Sequence, residues 1–326
     1  MHEVLSQIRD LGIVPVVKID DPAMAVPLAQ ALKDGGLPCA EITFRTGAAR
    51  EAMKQINGKM PDLLMGAGTV LTTAQVDSAA ECGAKFIVSP GYNPSIVAYC
   101  IKKGIPVVPG CSTPSDMEKA IEAGLEVVKF FPAEESGGIP YIKAVSAPYT
   151  MLKFIPTGGI NADNLNSYLS FNRILACGGS WMVKAELINE GRFEEIRRLT
   201  KEAISTMLGF RLAHLGINTS NEDEAAKAAG LWEKIFNFPV KPGSSSEFAD
   251  PWFEHRKPPN LGEHGHIAIG TLDIKRAIAY LKRQGFDFNP EAAKTNDKGE
   301  ITAIYLKDEI AGFAVHLVSY YGTLHY

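Results

Sequence analysis

Short apolar runs alternate with amphipathic segments from residue 13 to about residue 181. Within each run the apolar residues are nearly continuous, which is typical of parallel strands that are covered on both faces. The runs are Ile13–Ile19, Cys39–Phe44, Leu63–Val70, Phe86–Pro90, Pro106–Ser112, Val127–Ala133, Phe154–Gly159 and Ile174–Trp181. Eight repeated βα units predict an α/β fold in which the strands close into a (β/α)8 barrel of the TIM type.

Helix-ending signals support this pattern and place a domain boundary. Thr113 precedes Pro114, as expected for an N-cap before a first-turn proline, and the helical pattern that follows closes at Gly124. A long amphipathic segment from residue 193 to Gly209 ends the series. The sequence therefore predicts a barrel domain over residues 1–207 and a second domain over residues 208–326.

The second domain contains a weak internal repeat. The segment Arg211–Thr219 resembles His264–Thr271, and His214 and His266 hold the same place in the two copies, 52 residues apart. Each copy precedes a helical pattern and then strand-like or polar segments. The two helical patterns cover residues 221–236 and 272–284. This order predicts a smaller α+β domain made of paired βαβββ modules.

The composition narrows the range of partners. Apolar residues make up 46% of the chain and charged residues 21%, and the formal net charge is −4. Such a balance supports a folded core and provides no basic field for nucleic acid or anionic lipid. There is neither a signal peptide at the start nor a run of 18 apolar residues. We therefore expect a cytoplasmic protein with small-molecule partners, no nucleic acid and no membrane.

A lysine lies inside the sixth apolar run. The stretch Val127-Val-Lys129-Phe-Phe-Pro-Ala-Glu134 surrounds this amine with apolar and aromatic residues. Burial penalises an ammonium and favours the neutral, nucleophilic amine, which is what imine formation with a ketone requires. The alternative is a strand-end lysine whose ammonium reaches solvent.

A glutamate lies inside the second run, in Glu41-Ile-Thr-Phe-Arg45-Thr46. An unpaired carboxylate among apolar residues is costly, so Glu41 is expected to be either paired or catalytic. It could transfer a proton during carbon–carbon cleavage, or form a structural ion pair with Lys129 or Arg45. The planar guanidinium of Arg45 suits a substrate carboxylate.

Paired glycines follow the last two runs. Backbone N–H groups that glycines expose at strand ends can bind phosphate, and barrels often place a phosphate after strands seven and eight. The candidate residues are Thr157, Gly158 and Gly159 after the seventh run, and Gly178, Gly179 and Ser180 after the eighth. Either pair alone could be an ordinary tight turn. No histidine occurs between His2 and His214, which argues against a histidine base or a metal centre in the barrel.

Residues 5–207 resemble the KDPG aldolase family, also called the 4-hydroxy-2-oxoglutarate aldolase family. The matching stretches begin with the segment from Glu41 to Thr46 and include Lys129-Phe-Phe-Pro-Ala-Glu134. The remaining ones are Gly66-Ala-Gly-Thr69-Val, Ser89-Pro90-Gly91, Pro109-Gly110, Pro156-Thr-Gly-Gly-Ile160 and Gly178-Gly-Ser180-Trp181.

The resemblance implies a class I aldolase that needs no cofactor. It would split 2-keto-3-deoxy-6-phosphogluconate or 4-hydroxy-2-oxoglutarate, with Lys129 as the Schiff-base lysine and Glu41 as the proton-transferring glutamate. The matched substrate positions are Arg45 and Thr69 for the pyruvyl carboxylate, Pro90 for the pocket wall, and Gly158, Gly159, Gly179 and Ser180 for the phosphate. The resemblance also implies a homo-oligomer, specifically a trimer.

The second domain resembles the vicinal oxygen chelate superfamily, which includes glyoxalases and bleomycin-resistance proteins. In that superfamily the first and last strands of each module often carry metal ligands, and the matching residues here are His214, Glu254, His266 and His316. His316 replaces the more usual glutamate. Imidazole and carboxylate suit a divalent Zn, Mn or Ni ion. The alternative is that these side chains only line a pocket.

Three classes of function follow from these observations. A retro-aldol lyase leads. A phosphosugar isomerase or epimerase on a similar barrel is the second, and it would need no covalent lysine. For residues 208–326 alone, the third class is a ligand-binding or oligomerisation module.

Overall fold

The chain folds into two compact units in a computed structural model, which describes residues 1–320. The first unit is Met1–Met207, and the second begins at Leu208. Each unit has its own sheet structure.

Parallel strands close into a barrel in the first unit. The strands are β1 (Ile13–Val17), β2 (Cys39–Thr43), β3 (Leu64–Gly68), β4 (Phe86–Val88), β5 (Val107–Val108), β6 (Val127–Phe130), β7 (Lys153–Pro156) and β8 (Cys177–Gly179). They pair in the order β5-β4-β3-β2-β1-β8, with β6 beside β7. Isolated bridges Gly110↔Lys129 and Thr157↔Gly178 join these two sheets. The predicted α/β barrel is therefore confirmed.

Helices connect the strands of the barrel. They are α1 (Glu3–Leu11), α2 (Ala25–Asp34), α3 (Ala49–Lys59), α4 (Thr73–Glu81), α5 (Pro94–Lys102), α6 (Pro114–Glu122), α7 (Gly138–Ser146), α8 (Leu165–Leu169), α9 (Ala185–Asn189) and α10 (Phe193–Leu208). The cap predicted at Thr113 is present, since its hydroxyl accepts a hydrogen bond from the Asp116 N–H. The strands themselves are shorter than the apolar runs that predict them. The final residues of several runs leave the sheet to form loops at the carboxyl ends of the strands.

The second unit is built around one mixed sheet. Its elements are β9 (Arg211–Asn218), α11 (Glu222–Phe236), β10 (Val240–Pro242), β11 (Ser246–Ala249), β12 (Phe253–Arg256), β13 (Gly265–Thr271), α12 (Ile274–Arg283), β14 (Phe288–Thr295), β15 (Ile301–Leu306) and β16 (Phe313–Ser319). Within the described residues the strand order is β10-β11-β12-β9-β13-β16-β15-β14. The βαβββ order occurs twice, and the first and fourth strands of both modules lie at the centre.

Residues 242–246 and 256–260 are rich in Pro, Gly, Ser or Asn, as loops are, yet each segment belongs partly to a strand. Pro242 ends β10, Ser246 begins β11, and Arg256 ends β12. Strand β10 lies at the edge of the sheet, where a proline does not remove a ladder hydrogen bond. Ser246 and Arg256 are direct partners across β11 and β12, and this pairing brings both of them to the candidate metal centre.

The described part of the chain contains no helix that is long and apolar enough to cross a lipid bilayer. The cysteines Cys39, Cys82, Cys100, Cys111 and Cys177 are buried.

Candidate active site and candidate metal centre

Lys129 and Glu41 face each other inside the barrel. Lys129 is the third residue of β6 and Glu41 the third residue of β2, and their exposed fractions are 5% and 3%. The Lys129 Nζ lies 3.7 Å from Glu41 Oε1. This oxygen has no hydrogen-bond partner among the described residues. The two groups therefore lie close together in the barrel interior, with one carboxylate oxygen open to a further hydrogen bond.

Gly68 provides the space for the Glu41 carboxylate. It ends β3, the strand beside β2. A Cβ at this position would overlap Oε1 and Cδ of Glu41. A glycine is therefore required here if the carboxylate is to keep its present place.

A cleft of about 600 Å³ opens over Lys129 at the carboxyl ends of the strands. It is lined by Arg45, Thr69, Pro90, Lys129, Thr157, Gly158, Gly159, Gly178, Gly179 and Ser180, which are candidates from the sequence. Glu41 does not line this cleft. It lines a small cavity of about 10 Å³ in the barrel interior, together with Lys129 and Thr157. Lys129 thus separates the cleft from the buried carboxylate.

Arg45 and Thr69 form one wall of the cleft. The Arg45 Nε donates to Thr69 Oγ1 at 3.5 Å, and Thr69 has a φ of 55°. Left-handed backbone is uncommon for a residue with a branched Cβ, and it aims the hydroxyl toward the arginine. The guanidinium is exposed at the mouth of the cleft, where it can reach an anion.

The two glycine loops lie next to each other. Thr157 forms a bridge with Gly178, so the ends of β7 and β8 are neighbours. Gly158 and Gly159 have φ values of 98° and 76°, a conformation that favours glycine. The two glycine pairs that the sequence places after consecutive strands therefore form one continuous wall of the cleft.

The sequence interpretation missed two lysines, Lys18 and Lys184, that also line the cleft. Lys18 follows β1, whose Pro15 pairs with Gly179. The Lys18 Nζ lies 2.9 Å from Asp20 Oδ1. Hydrogen bonds from Lys18 and Asn189 hold the pKa of Asp20 below its ordinary value. Lys18 lies inside the first apolar run, and a lysine inside such a run is the same signal that singles out Lys129.

Comparison with known proteins identifies the barrel. The model of the family described as KDPG and KHG aldolase matches residues 4–199. The chain belongs to the KDPG and KHG aldolase family. The aldolase class that the sequence predicts is thereby confirmed. The match ends before the second unit, so the superfamily of that unit stays a prediction.

Three relatives illustrate how the match covers the aldolase barrel. The 2-dehydro-3-deoxy-phosphogluconate aldolase of Treponema pallidum is 46% identical over 204 residues, which is 63% of this chain and 96% of that protein. The KDPG aldolase of Legionella pneumophila, solved with pyruvate captured as a covalent carbinolamine intermediate, superposes with a TM-score of 0.60 and 36% identity. The match covers 61% of this chain and 97% of the Legionella chain. The Zymomonas mobilis enzyme, solved with 3-phosphoglycerate, gives a TM-score of 0.58, 37% identity, and coverage of 62% and 95%.

In the second unit, His214, Glu254, His266 and His316 converge on one point. The Glu254 Oε2 lies 3.3 Å from His214 Nε2 and 3.2 Å from His266 Nε2. One nitrogen of each of the three imidazoles lies within 4.8 Å of the others. Glu254, His266 and His316 are buried. All four side chains that the resemblance implies are therefore brought together.

The strand register explains this convergence. Glu254, Gly216 and His266 lie side by side on β12, β9 and β13, and a Cβ on Gly216 would overlap the His266 ring. One row along, His214, Ala268 and His316 lie side by side on β9, β13 and β16. Residues two apart on a strand share a face, so both rows point the same way. A small residue in the middle of each row leaves the space between the larger ones open.

Glu254 is oriented by two neighbours that the sequence interpretation missed. Its Oε1 accepts hydrogen bonds from the Ser246 hydroxyl and from Arg256 Nη1, the latter at 3.0 Å. Burial raises the pKa of Glu254. Hydrogen bonds from His214, His266, Ser246 and Arg256 outweigh that effect and hold it well below its ordinary value. One carboxylate oxygen is thus fixed, while the other faces the histidines with its negative charge intact.

The imidazoles are short of hydrogen-bond partners. Three imidazole nitrogens of this cluster lack a hydrogen-bond partner within residues 1–320. They are both ring nitrogens of His316 and the Nδ1 of His266. Burial, and next the neighbouring His266 and His214, lower the pKa of His316 to about 3. Buried polar atoms without partners are rare and require an explanation. Three clustered imidazoles beside a carboxylate are a suitable donor set for a divalent ion. The residues present fit a metal.

Proposed function

We propose that the barrel cleaves 2-keto-3-deoxy-6-phosphogluconate to pyruvate and glyceraldehyde 3-phosphate through an imine on Lys129. The single observation that carries this proposal is the Lys129 amine. It is buried at the floor of an open cleft and lies 3.7 Å from the Glu41 carboxylate. Membership of the aldolase family supports the reaction class. We propose 4-hydroxy-2-oxoglutarate, which yields pyruvate and glyoxylate, as a second substrate of the same cleft.

Lys129 provides the covalent chemistry. The neutral amine attacks the C2 ketone of the keto acid, and the resulting carbinolamine loses water to give an iminium ion. The iminium accepts the electron pair of the C3–C4 bond when this bond breaks. The enamine that forms takes a proton at C3, and water then releases pyruvate and restores the amine. The Phe131 ring, whose centroid lies 5.1 Å from Nζ, covers the amine beside the cleft.

Glu41 is the base that starts carbon–carbon cleavage. It takes the proton of the C4 hydroxyl, by way of a water, as C4 becomes the aldehyde carbon. Its carboxylate lies on the interior side of Lys129 rather than in the cleft. This position fits proton transfer through a water better than direct contact with the C4 hydroxyl. Arg45 and Thr69 would hold the pyruvyl carboxylate at the cleft mouth, because a guanidinium and a hydroxyl together match a carboxylate.

The glycine loops give the cleft its phosphate end. Thr157, Gly158, Gly159, Gly178, Gly179 and Ser180 line one continuous wall of the cleft. Backbone amides and a nearby hydroxyl bind a phosphate without bringing a large side chain into the cleft. We therefore expect a higher kcat/KM for the phosphorylated substrate than for 4-hydroxy-2-oxoglutarate, and steady-state kinetics with both compounds tests this preference.

The assembly that we propose is a homotrimer, on the basis of the family resemblance. Light scattering on the purified chain should give a mass three times the monomer mass of 35.3 kDa. A monomeric mass would contradict this part of the proposal and leave the chemistry untouched.

Trapping the imine is the decisive experiment for the barrel. Pyruvate with borohydride should add one reduced pyruvyl group per chain, and peptide mass spectrometry should find it on Lys129. Lys129→Ala should abolish both the adduct and the cleavage activity, whereas Lys153→Ala, a lysine on the adjacent strand β7, should retain both. An adduct on another lysine would overturn the assignment, and the lack of any adduct would favour an isomerase or epimerase.

For the second unit we propose a divalent metal site formed by His214, Glu254, His266 and His316. The unpartnered nitrogens of His316 and His266 and the anionic Glu254 support it. A bound Zn, Mn or Ni ion would provide a Lewis acid for an oxygen-bearing ligand. Ser246 and Arg256 would hold the carboxylate in place, and hydrogen-bonded partners of this kind strengthen metal sites. The barrel, by contrast, needs no cofactor in the mechanism above.

Metal analysis of the full-length chain tests this second proposal. The chain is loaded with Zn, Mn or Ni and then desalted. We expect the parent chain to retain one divalent ion, and the variants His214→Ala and His266→Ala to lose it. His264→Ala is the matched control, since this exposed histidine is two residues from His266 and outside the cluster. Retention of metal in both cluster variants, or its loss in the control, would contradict the site.

A further inference from the structure

A second cavity, of about 670 Å³, lies over the four candidate ligands of the second unit. Its floor carries the three histidines and Glu254, and its walls include Arg256 and Lys294. A volume of this size is typical of small-molecule pockets and is too small for a polymer. The ligand of the cavity is therefore a small molecule.

The charged side chains that line this cavity are mostly positive. Among the described residues they are one carboxylate, Glu254, and two cations, Arg256 and Lys294. With neutral imidazoles the lining carries a net charge of +1, and a divalent ion would raise it to +3. A cavity with this charge attracts anions and disfavours cations, and low-dielectric walls strengthen the effect.

Arg256 places a positive charge at the cavity beside Glu254. Its Nη1 bonds Ser245, Ser246 and Glu254, each within 3.1 Å. The guanidinium therefore neutralises Glu254 and contributes a cation to the cavity lining.

Lys294 is a cation without a fixed partner. It lies on β14, paired with Ala303 on β15, and is exposed. None of the ion pairs in the described part of the chain includes its ammonium. Strand β14 lies at the other end of the strand order from β11 and β12, so Lys294 places positive charge on the part of the cavity wall away from Arg256.

We propose that this cavity binds a small oxyanion, a carboxylate or phosphate group that Lys294 and Arg256 recruit to the metal. The inference rests on the metal site proposed above and adds the chemical class of its ligand. Glu254 does not oppose the anion strongly, because Arg256 and Ser246 bind one of its oxygens and the histidines surround the other.

Paramagnetic relaxation tests the inference on the full-length chain. The protein is loaded with one equivalent of Mn²⁺, and the transverse relaxation of inorganic phosphate (³¹P) or of ¹³C-carboxyl acetate is measured during titration. We expect saturable broadening by at least one of the two probes, and the tighter one identifies the anionic group. His266→Ala, which should not hold Mn²⁺, corrects for anions bound elsewhere in the chain.

Charge reversal provides the quantitative readout. Lys294→Glu should lower the affinity for the anion by about tenfold or more, because an attraction becomes a repulsion. The variant should still bind Mn²⁺. Lys298→Glu is the matched control, since this exposed lysine lies in the turn of the same β14–β15 hairpin and outside the cavity lining.

The outcomes separate the two proposals. Bound Mn²⁺ with no broadening of either probe overturns the oxyanion inference and leaves the metal site standing. Equal anion affinity in Lys294→Glu and the parent chain also overturns it, because Lys294 would then not recruit the ligand. Free Mn²⁺ in the electron paramagnetic resonance spectrum overturns a manganese site, and with it the inference that such a site recruits an anion.

Discussion

At the scale of single residues, glycines decide where the charged groups of both units can lie. Gly68 leaves the space that the Glu41 carboxylate occupies, and Gly216 leaves the space for the His266 ring. Neither glycine carries any chemistry of its own. Each position is nevertheless as constrained as the functional side chain beside it, because a single methyl group would overlap that side chain.

Gly68→Ala should separate the two steps of the aldolase reaction. The added methyl displaces Glu41, so we expect kcat for cleavage to fall by about 100-fold, as for the loss of a general base. Borohydride trapping of pyruvate on Lys129 should persist. Gly58→Ala is the control, since a methyl group at this position in α3 would meet open space. An unchanged kcat in Gly68→Ala would show that the carboxylate has another place to go.

The sequence predicts Lys129 and Glu41 because each is a charged residue inside an apolar run. It does not predict Gly68 or Gly216, because their importance depends on which strand lies alongside. Register is a tertiary property, set by the closure of the barrel and by the pairing of β9 with its neighbours. Arg256 was missed in part for the same reason, since its proximity to Ser246 depends on the pairing of β11 with β12. Its proximity to Glu254 is local, because the two residues are two apart on β12 and share a face.

At the scale of elements, the ends of β7 and β8 act together. The Thr157↔Gly178 bridge brings their loops side by side. Two ordinary turns on separate strands would each bind an anion weakly, whereas adjacent turns can surround one phosphate. The phosphate preference that we propose would therefore be a property of a pair of elements.

Ser180→Asp should reverse the substrate preference. A carboxylate placed on the exposed Ser180 repels a phosphate dianion, so kcat/KM for the phosphorylated substrate should fall at least about tenfold. The value for 4-hydroxy-2-oxoglutarate should change much less. Ser95→Asp, which adds the same charge at an exposed position outside the cleft lining, should leave the ratio of the two kcat/KM values unchanged. A parallel loss for both substrates would point to a general structural effect instead.

The order of the elements was predictable, and their ends were less so. Each apolar run contains a strand, yet β5 retains only two residues of the run from Pro106 to Ser112. Apolar character reports burial, and the first residues of the βα loops are buried as well. The sequence pattern cannot distinguish a buried strand from a buried loop that follows it, because both exclude water.

At the scale of the whole molecule, the match to the aldolase family falls within the first unit and does not reach the second. The Legionella chain is 97% covered by a match that takes in 61% of this chain. The barrel therefore corresponds to what is elsewhere a complete polypeptide. The second unit has a separate sheet, and its duplication is visible in the 52-residue spacing of His214 and His266. A repeat of this kind is detectable from sequence because both copies must place a histidine on the same face.

A chain that stops after Gly209 should remain an active aldolase. We expect its kcat to lie within about twofold of the full-length value, since every candidate catalytic residue precedes residue 181, and light scattering should show the same number of subunits. If the truncated chain is active but assembles differently, the second unit has the oligomerisation role. If it folds, as judged by circular dichroism, but loses activity, the two units depend on each other for catalysis.

The division of the four ligands between the two modules has a consequence for what a single module could bind. His214 and Glu254 come from one copy of the repeat, and His266 and His316 from the other. A polypeptide with only one copy would present half a binding site, yet two such polypeptides joined through their first strands would complete it. Two single-module chains joined in this way would bring together the same four positions that the two modules of this unit bring together within one chain.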